Sequence, residues 1–139
     1  MMSMDGLTPP QRIHLQLDVY AKALAALREA VQTDTGDKKS RDSILLSYVF
    51  TFEMAVRSLA VVLKARGLNP PDYAAAVLRA AFQARLITDP ELWTQIREGR
   101  NEISHAYDED KARALAGFVT RTALDALTDM LERLRQDEE

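Results

Sequence analysis

Residues 100–107, Arg100-Asn101-Glu102-Ile103-Ser104-His105-Ala106-Tyr107, place a guanidinium, a carboxamide, an imidazole and a phenol within eight consecutive positions. A guanidinium grips two phosphate oxygens at once through its planar fork. A histidine can take a proton from one oxygen and give one to another. Together these groups suit phosphate chemistry that needs no metal. Cysteine is absent, which excludes disulfides, thiolate zinc sites and cysteine nucleophiles. His14 and His105 are the only histidines, lie far apart and share no metal-binding spacing. No metal and no cofactor is therefore expected.

The register within the segment limits how it can work. Asn101 and His105 are four apart and share a face on a continuing helix, with Arg97 one turn earlier on that face. Arg100 and His105 are five apart, which leaves them about 140° out of register on an ideal helix. Three arrangements would bring them to one phosphate. The helix could fray near Ser104, the long Arg100 side chain could reach round, or Arg and His of two chains could meet across a twofold axis. A symmetric pair would also bring two histidines to one cleft, one as base and one as acid. Against this stands a plainer reading, in which an Arg and a His near a helix end are surface groups and the His complements the helix dipole.

Other polar residues divide the same way. Glu53 sits in an apolar helical stretch and either pairs with Arg100 or Arg57 or lies at an exposed edge. Lys38, Lys39 and Arg41 either extend a phosphate path or are solvated loop charge. Ser104 has no visible activating triad. His14, beside the stripe residue Ile13, reads as a half-exposed structural group. Tyr20, Tyr48, Trp93 and Phe118 read as packing groups rather than base-stacking platforms.

The elements that must position these groups are helical. Thr8, Pro9 and Gln11 spell a capped helix start, followed by a stripe of Ile13, Leu17, Tyr20, Leu24, Leu27 and Val31. Gly36 lies in a polar loop. A second helix is predicted from about Ser40 to Arg66, with Leu45, Tyr48, Phe52, Ala55, Leu59 and Val62 inward and Gly67 as its stop. Ile44, Leu46, Val49, Phe50, Met54, Val56 and Val61 make this helix apolar on more than one face, so it is either central or used for self-association. Asn69-Pro70-Pro71 is a turn, and a short alanine-rich helix is predicted from about Pro71 to Arg85. Asp89 and Pro90 start a fourth helix leading to the motif, and Asp108 caps a last one to about Arg135 with Leu115, Val119, Ala123, Met130 and Leu134 inward. No stretch alternates with period two.

At 139 residues, 47% of them hydrophobic, the chain can bury a core of its own. The expected organisation is a flexible lead-in at 1–10, one helical domain at 11–136 and an acidic solvated tail at 137–139. A net charge of −3 is unlike a strongly basic nucleic-acid binder, so any RNA contact must be local. No uninterrupted apolar run approaches membrane length and the start lacks a signal-peptide pattern. A cytoplasmic protein without membrane contact is expected.

The pattern Arg-x-x-x-x-His, with a polar residue after the Arg, resembles the signature of HEPN domains. The longer Arg100…His105-x-Tyr107 form resembles the HepT toxin branch, also described as nucleotidyltransferase substrate-binding proteins. Arg41-Asp42-Ser43 with Phe50-Thr51-Phe52-Glu53 is similar to that family's second helix. Pro70-Pro71-Asp72 through Ala81-Phe82 and Leu86-Ile87 is similar to its third, and Asp89-Pro90-Glu91-Leu92-Trp93 with Gly99–Tyr107 to its fourth. The likeness covers roughly residues 13–134. Val56-Arg57 stands where the family has a Trp-Lys pair. The resemblance implies an all-α, antiparallel four-helix bundle with an additional short helix, paired as a homodimer. It implies a metal-independent endoribonuclease toxin, with a minimal nucleotidyltransferase as antitoxin that adds AMP to the motif tyrosine. The alternative is a non-catalytic partner subunit that binds nucleotide or substrate for the nucleotidyltransferase. By position, Arg100 would bind the scissile phosphate, His105 would be the acid–base group, Asn101 would support it and Tyr107 would be modified. Glu53, Arg97, Ser104 and Arg41 are possible supporting residues.

Overall fold

The computed structural model describes residues 6–138. All regular structure in it is helical: α1 (Pro9–Gln32), α2 (Lys38–Ala65), α3 (Ala74–Gln83), α4 (Pro90–Asn101), α5 (Glu109–Phe118) and α6 (Leu124–Glu138). A 3-10 turn, Glu102–His105, follows α4, and a π turn, Val119–Ala123, joins α5 to α6. Residues 109–138 therefore form one long, continuous helical rod. With α1, α2 and α4 it makes a four-helix bundle, and α3 is the additional short helix.

The caps explain the boundaries. Thr8 Oγ1 accepts the Gln11 N–H while the Gln11 side chain accepts the Thr8 N–H, a reciprocal capping box. The helix thus begins at Pro9, inside the expected lead-in. Residues 1–5 lie outside the described part. Asp37 caps α2 through the Ser40 N–H. Gly67, at φ +81°, ends it: the Leu68 N–H bonds to the Leu63 carbonyl and the Gly67 N–H to that of Lys64. Helix α3 ends the same way, but with Arg85 at φ +63° in the glycine position. It is also shorter than expected, because Pro71 and Asp72 belong to a turn and Tyr73 is extended.

α2 packs against every other α-helix and supplies the centre of the core. Ile44, Leu45, Tyr48, Phe52, Ala55, Leu59 and Leu63 are all buried there. By length and composition alone α2 could cross a bilayer, a property that counting uninterrupted apolar runs misses. Half of its most apolar stretch is buried inside the bundle, so core packing accounts for that character. Two side-chain hydrogen bonds fix the layers: Tyr20 Oη donates to the Leu127 carbonyl at 2.6 Å and Thr51 Oγ1 to the Ala23 carbonyl at 3.1 Å. Burial pushes the Tyr20 phenol far above its ordinary pKa, so it remains a donor.

The π turn has a stripe-phasing role. Leu115, Val119, Ala123 and Leu127 are buried and spaced by four. On an ideal α-helix three such steps drift about 120° off the core face. The wider turn absorbs about one residue and brings Leu127, Met130, Leu131 and Leu134 back onto it. The acidic end is helical as far as Glu138, where a solvated tail is expected, and Asp137 pairs with Arg66 at the end of α2. His14 is exposed and faces Asp18 one turn on at 3.5 Å, rather than being half-buried. Tyr48 and Trp93 are buried, as packing groups should be.

Candidate functional site

α4 carries the motif, and three residues decide its seat. Asp89 Oδ1 accepts the Leu92 N–H and starts the helix. Trp93, Ile96 and Gly99 are its buried positions. Gly99 is where α4 comes closest to its neighbours. A Cβ there would lie 3.0 Å from Tyr48 Oη, 3.3 Å from Leu115 Cδ1 and 3.3 Å from Phe118 Cε2. The buried Tyr48 hydroxyl donates a short hydrogen bond to the Ile96 carbonyl and ties α2 to α4 one turn before the motif. Burial raises the Tyr48 pKa and the Arg100 charge partly offsets that rise; the hydroxyl stays protonated.

Arg100 follows directly. Its Nη2 donates to Glu53 Oε1 of α2 at 3.4 Å, one of the two pairings open to Glu53 from the sequence. The pair is 34% and 44% exposed on the two side chains, so it directs the guanidinium more than it stabilises the fold. The α-helical pattern then stops at Asn101, earlier than the fraying anticipated near Ser104, and the 3-10 turn carries the chain to His105. Asn101 is exposed and His105 half-buried. No hydrogen bond or ion pair joins Arg100 to His105 among the described residues. The His105 ring lies 6.4 Å from that of Tyr107, tilted by 53°. Tyr107 is 85% exposed, just before Asp108, which caps α5 by accepting the N–H groups of Asp110 and Lys111.

The supporting candidates separate. The Ser104 hydroxyl is spent on the Asn101 carbonyl at 3.3 Å and has no base beside it. Arg97 lines a different cleft, of about 240 Å³ between α3 and α4, with Arg79, Phe82 and Trp93. Arg41 is neither loop charge nor exposed: it is 5% exposed and pairs with Glu109 at 3.1 Å, clamping the start of α2 to the start of α5. Arg57 is exposed and is not the Glu53 partner. Among the described residues no cluster of three or more His, Cys, Asp or Glu of metal-binding arrangement occurs. The sequence does not mark Gly99 and Tyr48 as positioning residues. A glycine inside a helical stretch was the one available signal.

Residues 15–136 match the family described as nucleotidyltransferase substrate binding protein like. The chain belongs to this family. A relative from Haemophilus influenzae, named probable ribonuclease HepT, is 30% identical over 93 residues, 64% of this chain. The match spans 63% of that relative's length. A crystal structure of a protein from Thermus thermophilus has the same fold, with a TM-score of 0.71 and 25% identity over 86% of this chain and 98% of that one. The resemblance seen in the motif is thus a true family relationship, and the segment 100–107 lies within the matched region.

In this family member the close approach at Gly99 is the feature most open to direct test. Tyr48 is fully buried and tied to Ile96, so it cannot retreat from an added methyl group. Gly99→Ala should lower stability by about 1–3 kcal/mol through overpacking, read as a shifted urea midpoint. An unchanged midpoint would show that α4 does not depend on this contact.

Proposed function

We propose that the protein is a metal-independent endoribonuclease of the HepT kind, acting as the toxin of a toxin–antitoxin pair. The observation that supports this best is the arrangement at the end of α4. A half-exposed guanidinium is aimed by Glu53, and a half-buried imidazole follows on a tight turn that ends at an open tyrosine. The name of the Haemophilus relative supports the same reading. His105 removes the proton from a ribose 2′-hydroxyl, whose oxygen attacks the adjacent phosphorus. The bond from phosphorus to the 5′-oxygen breaks, and that oxygen takes a proton from a second acid. Arg100 stabilises the charge gathering on the non-bridging oxygens, and Asn101 supports the site. The products are a 2′,3′-cyclic phosphate and a 5′-hydroxyl.

One chain holds a single histidine in the motif, whereas this mechanism uses a base and an acid. A homodimer with two Arg100–His105 sets facing one cleft supplies both. Its surface is available on α2, where Leu46 is 74% and Phe50 50% exposed one turn apart, beside Glu53 on the next turn. The antitoxin is a minimal nucleotidyltransferase that transfers an adenylyl group from ATP to the Tyr107 hydroxyl, releasing pyrophosphate. The added phosphodiester puts charge and bulk beside Arg100 and His105 and competes with RNA for the guanidinium. Such a protein works in the cytoplasm, where its RNA is. The family's name favours a second reading, in which the same cleft binds nucleotide or substrate for the nucleotidyltransferase without cleaving it.

Incubating the purified chain with total RNA separates the two. Cleavage that persists in EDTA, falls by about 10²–10⁴ in His105→Ala and falls sharply in Arg100→Lys supports the nuclease; intact RNA supports the binding subunit. Sedimentation should show a dimer at micromolar concentration that Phe50→Asp dissociates, and a wild-type monomer would remove the shared cleft. Co-expression with a cognate nucleotidyltransferase should add mass in AMP units, and Tyr107→Phe should lack the addition while cleaving RNA normally. An addition on another residue would refute the switch but not the nuclease.

A further inference from the structure

Beyond the motif, a cavity of about 330 Å³ lies between the α1–α2 loop and the long helical rod. Asp34, Gly36 and Arg41 line it from one side and Arg113, Gly117 and Arg121 from the other. Three guanidiniums and one carboxylate thus face one space. The carboxylate is already engaged, since Asp34 Oδ1 accepts the Gly36 N–H at 2.9 Å.

Of the three, only Arg41 is buried; Arg113 and Arg121 are exposed. Arg41 is 5% exposed, and although one Nη pairs with Glu109, its buried Nε has no hydrogen-bond partner among the described residues. A buried donor left unmet costs free energy and is rare in a folded chain. Arg113 meets Asp110 only at 3.7 Å, in a largely exposed pair of little strength. Among the described residues Arg121 has neither an ion pair nor a hydrogen bond. Its guanidinium instead lies over Gly117, where a Cβ would come within 2.8 Å of Nη1 and 3.1 Å of Nη2. The missing side chain makes the room in which that head group rests. Arg121 also belongs to the π turn, a local irregularity that recurs at functional sites. Three guanidiniums on one cavity raise its local positive potential, and tetrahedral oxyanions match their forked donors.

We propose that this cavity is a phosphate-binding subsite that accepts the phosphate of a nucleotide or of a nucleic-acid strand. Arg121 and Arg113 contact the oxygens, and Arg41 supplies a fixed positive charge behind them. The strand as source rests on the ribonuclease reading; the phosphate chemistry does not.

Calorimetric titration of the full chain with inorganic phosphate, with AMP and with an uncleavable oligodeoxynucleotide tests the assignment, at matched ionic strength for each comparison and, for the oligonucleotide, at several salt concentrations. Phosphate binding should weaken about tenfold or more in Arg121→Gln, the range expected for a lost charge-assisted contact. Gly117→Ala should weaken it too while leaving the fold intact, because only the flexible end of Arg121 must move. Loss of oligonucleotide affinity in the variants, with a shallower salt dependence and unchanged AMP affinity, identifies a strand phosphate. Loss of AMP affinity alone identifies a nucleotide. If no probe binds the wild-type chain, or all bind both variants as tightly as wild type, the subsite is refuted. RNA cleavage scored in the same preparations keeps the two questions apart. Phosphate binding without cleavage leaves the subsite and removes the nuclease, whereas cleavage without any change in binding removes the subsite alone.

Discussion

The contact between α4 and α2 at Gly99 sets the position of everything that follows it in the chain. Because Gly99 has no side chain, the Tyr48 hydroxyl reaches the α4 backbone at Ile96. Arg100, the next residue, then leaves the helix directly above Glu53. A wider separation would leave Glu53 without its cation and the guanidinium free to swing through solvent. The 3-10 turn and Tyr107 hang from the same fixed point. Close helix packing is bistable rather than elastic, because interiors packed to crystal density have no slack to distribute.

Charge is arranged locally, not globally. The chain has a net charge of −3, yet Arg41, Arg113 and Arg121 line one cavity beside the helical rod and Arg100 pairs with α2 at the end of α4. Each of the two arginines that reach α2 or leave it is aimed by a glutamate, Arg100 by Glu53 and Arg41 by Glu109. A glutamate partner restricts where a guanidinium points while leaving part of its fork open. For an anion-binding protein such pairing holds the cation in place before the ligand arrives, which reduces the ordering cost of binding.

The two faces of α2 carry different duties. Its inner face, centred on Tyr48, Phe52, Ala55 and Leu59, organises the bundle, and its outer edge leaves Leu46 and Phe50 open beside Glu53. The same helix therefore connects the core, the Arg100 contact and the surface on which a second copy would bring another His105. If that pairing holds, the identity of the exposed edge and the completeness of the site are one constraint, since a register shift between copies would separate the imidazoles.

Much of this was determined by the sequence alone. Capping residues Thr8, Asp89 and Asp108 and the stop at Gly67 are local signals, and their helix boundaries appear within a few residues of where they point. Apolar spacing identified the buried stripes of α1 and α2, and the motif and its ordered neighbours identified the family. What only tertiary structure decided depends on partners distant in sequence. Glu53 could pair with two arginines until the α2–α4 contact selected Arg100. Arg41 could be solvated loop charge or part of a phosphate path until α5 brought Glu109 to it from 68 residues away. The π turn resolves a phase error that no local propensity announces, because it exists to keep two halves of one stripe on one core. Arg85 in a glycine conformation shows the same principle: the packing of Leu86 and Ile87 imposes a left-handed residue that the chain did not spell. Local interactions write the elements, while long-range burial and pairing choose which of their side chains meet.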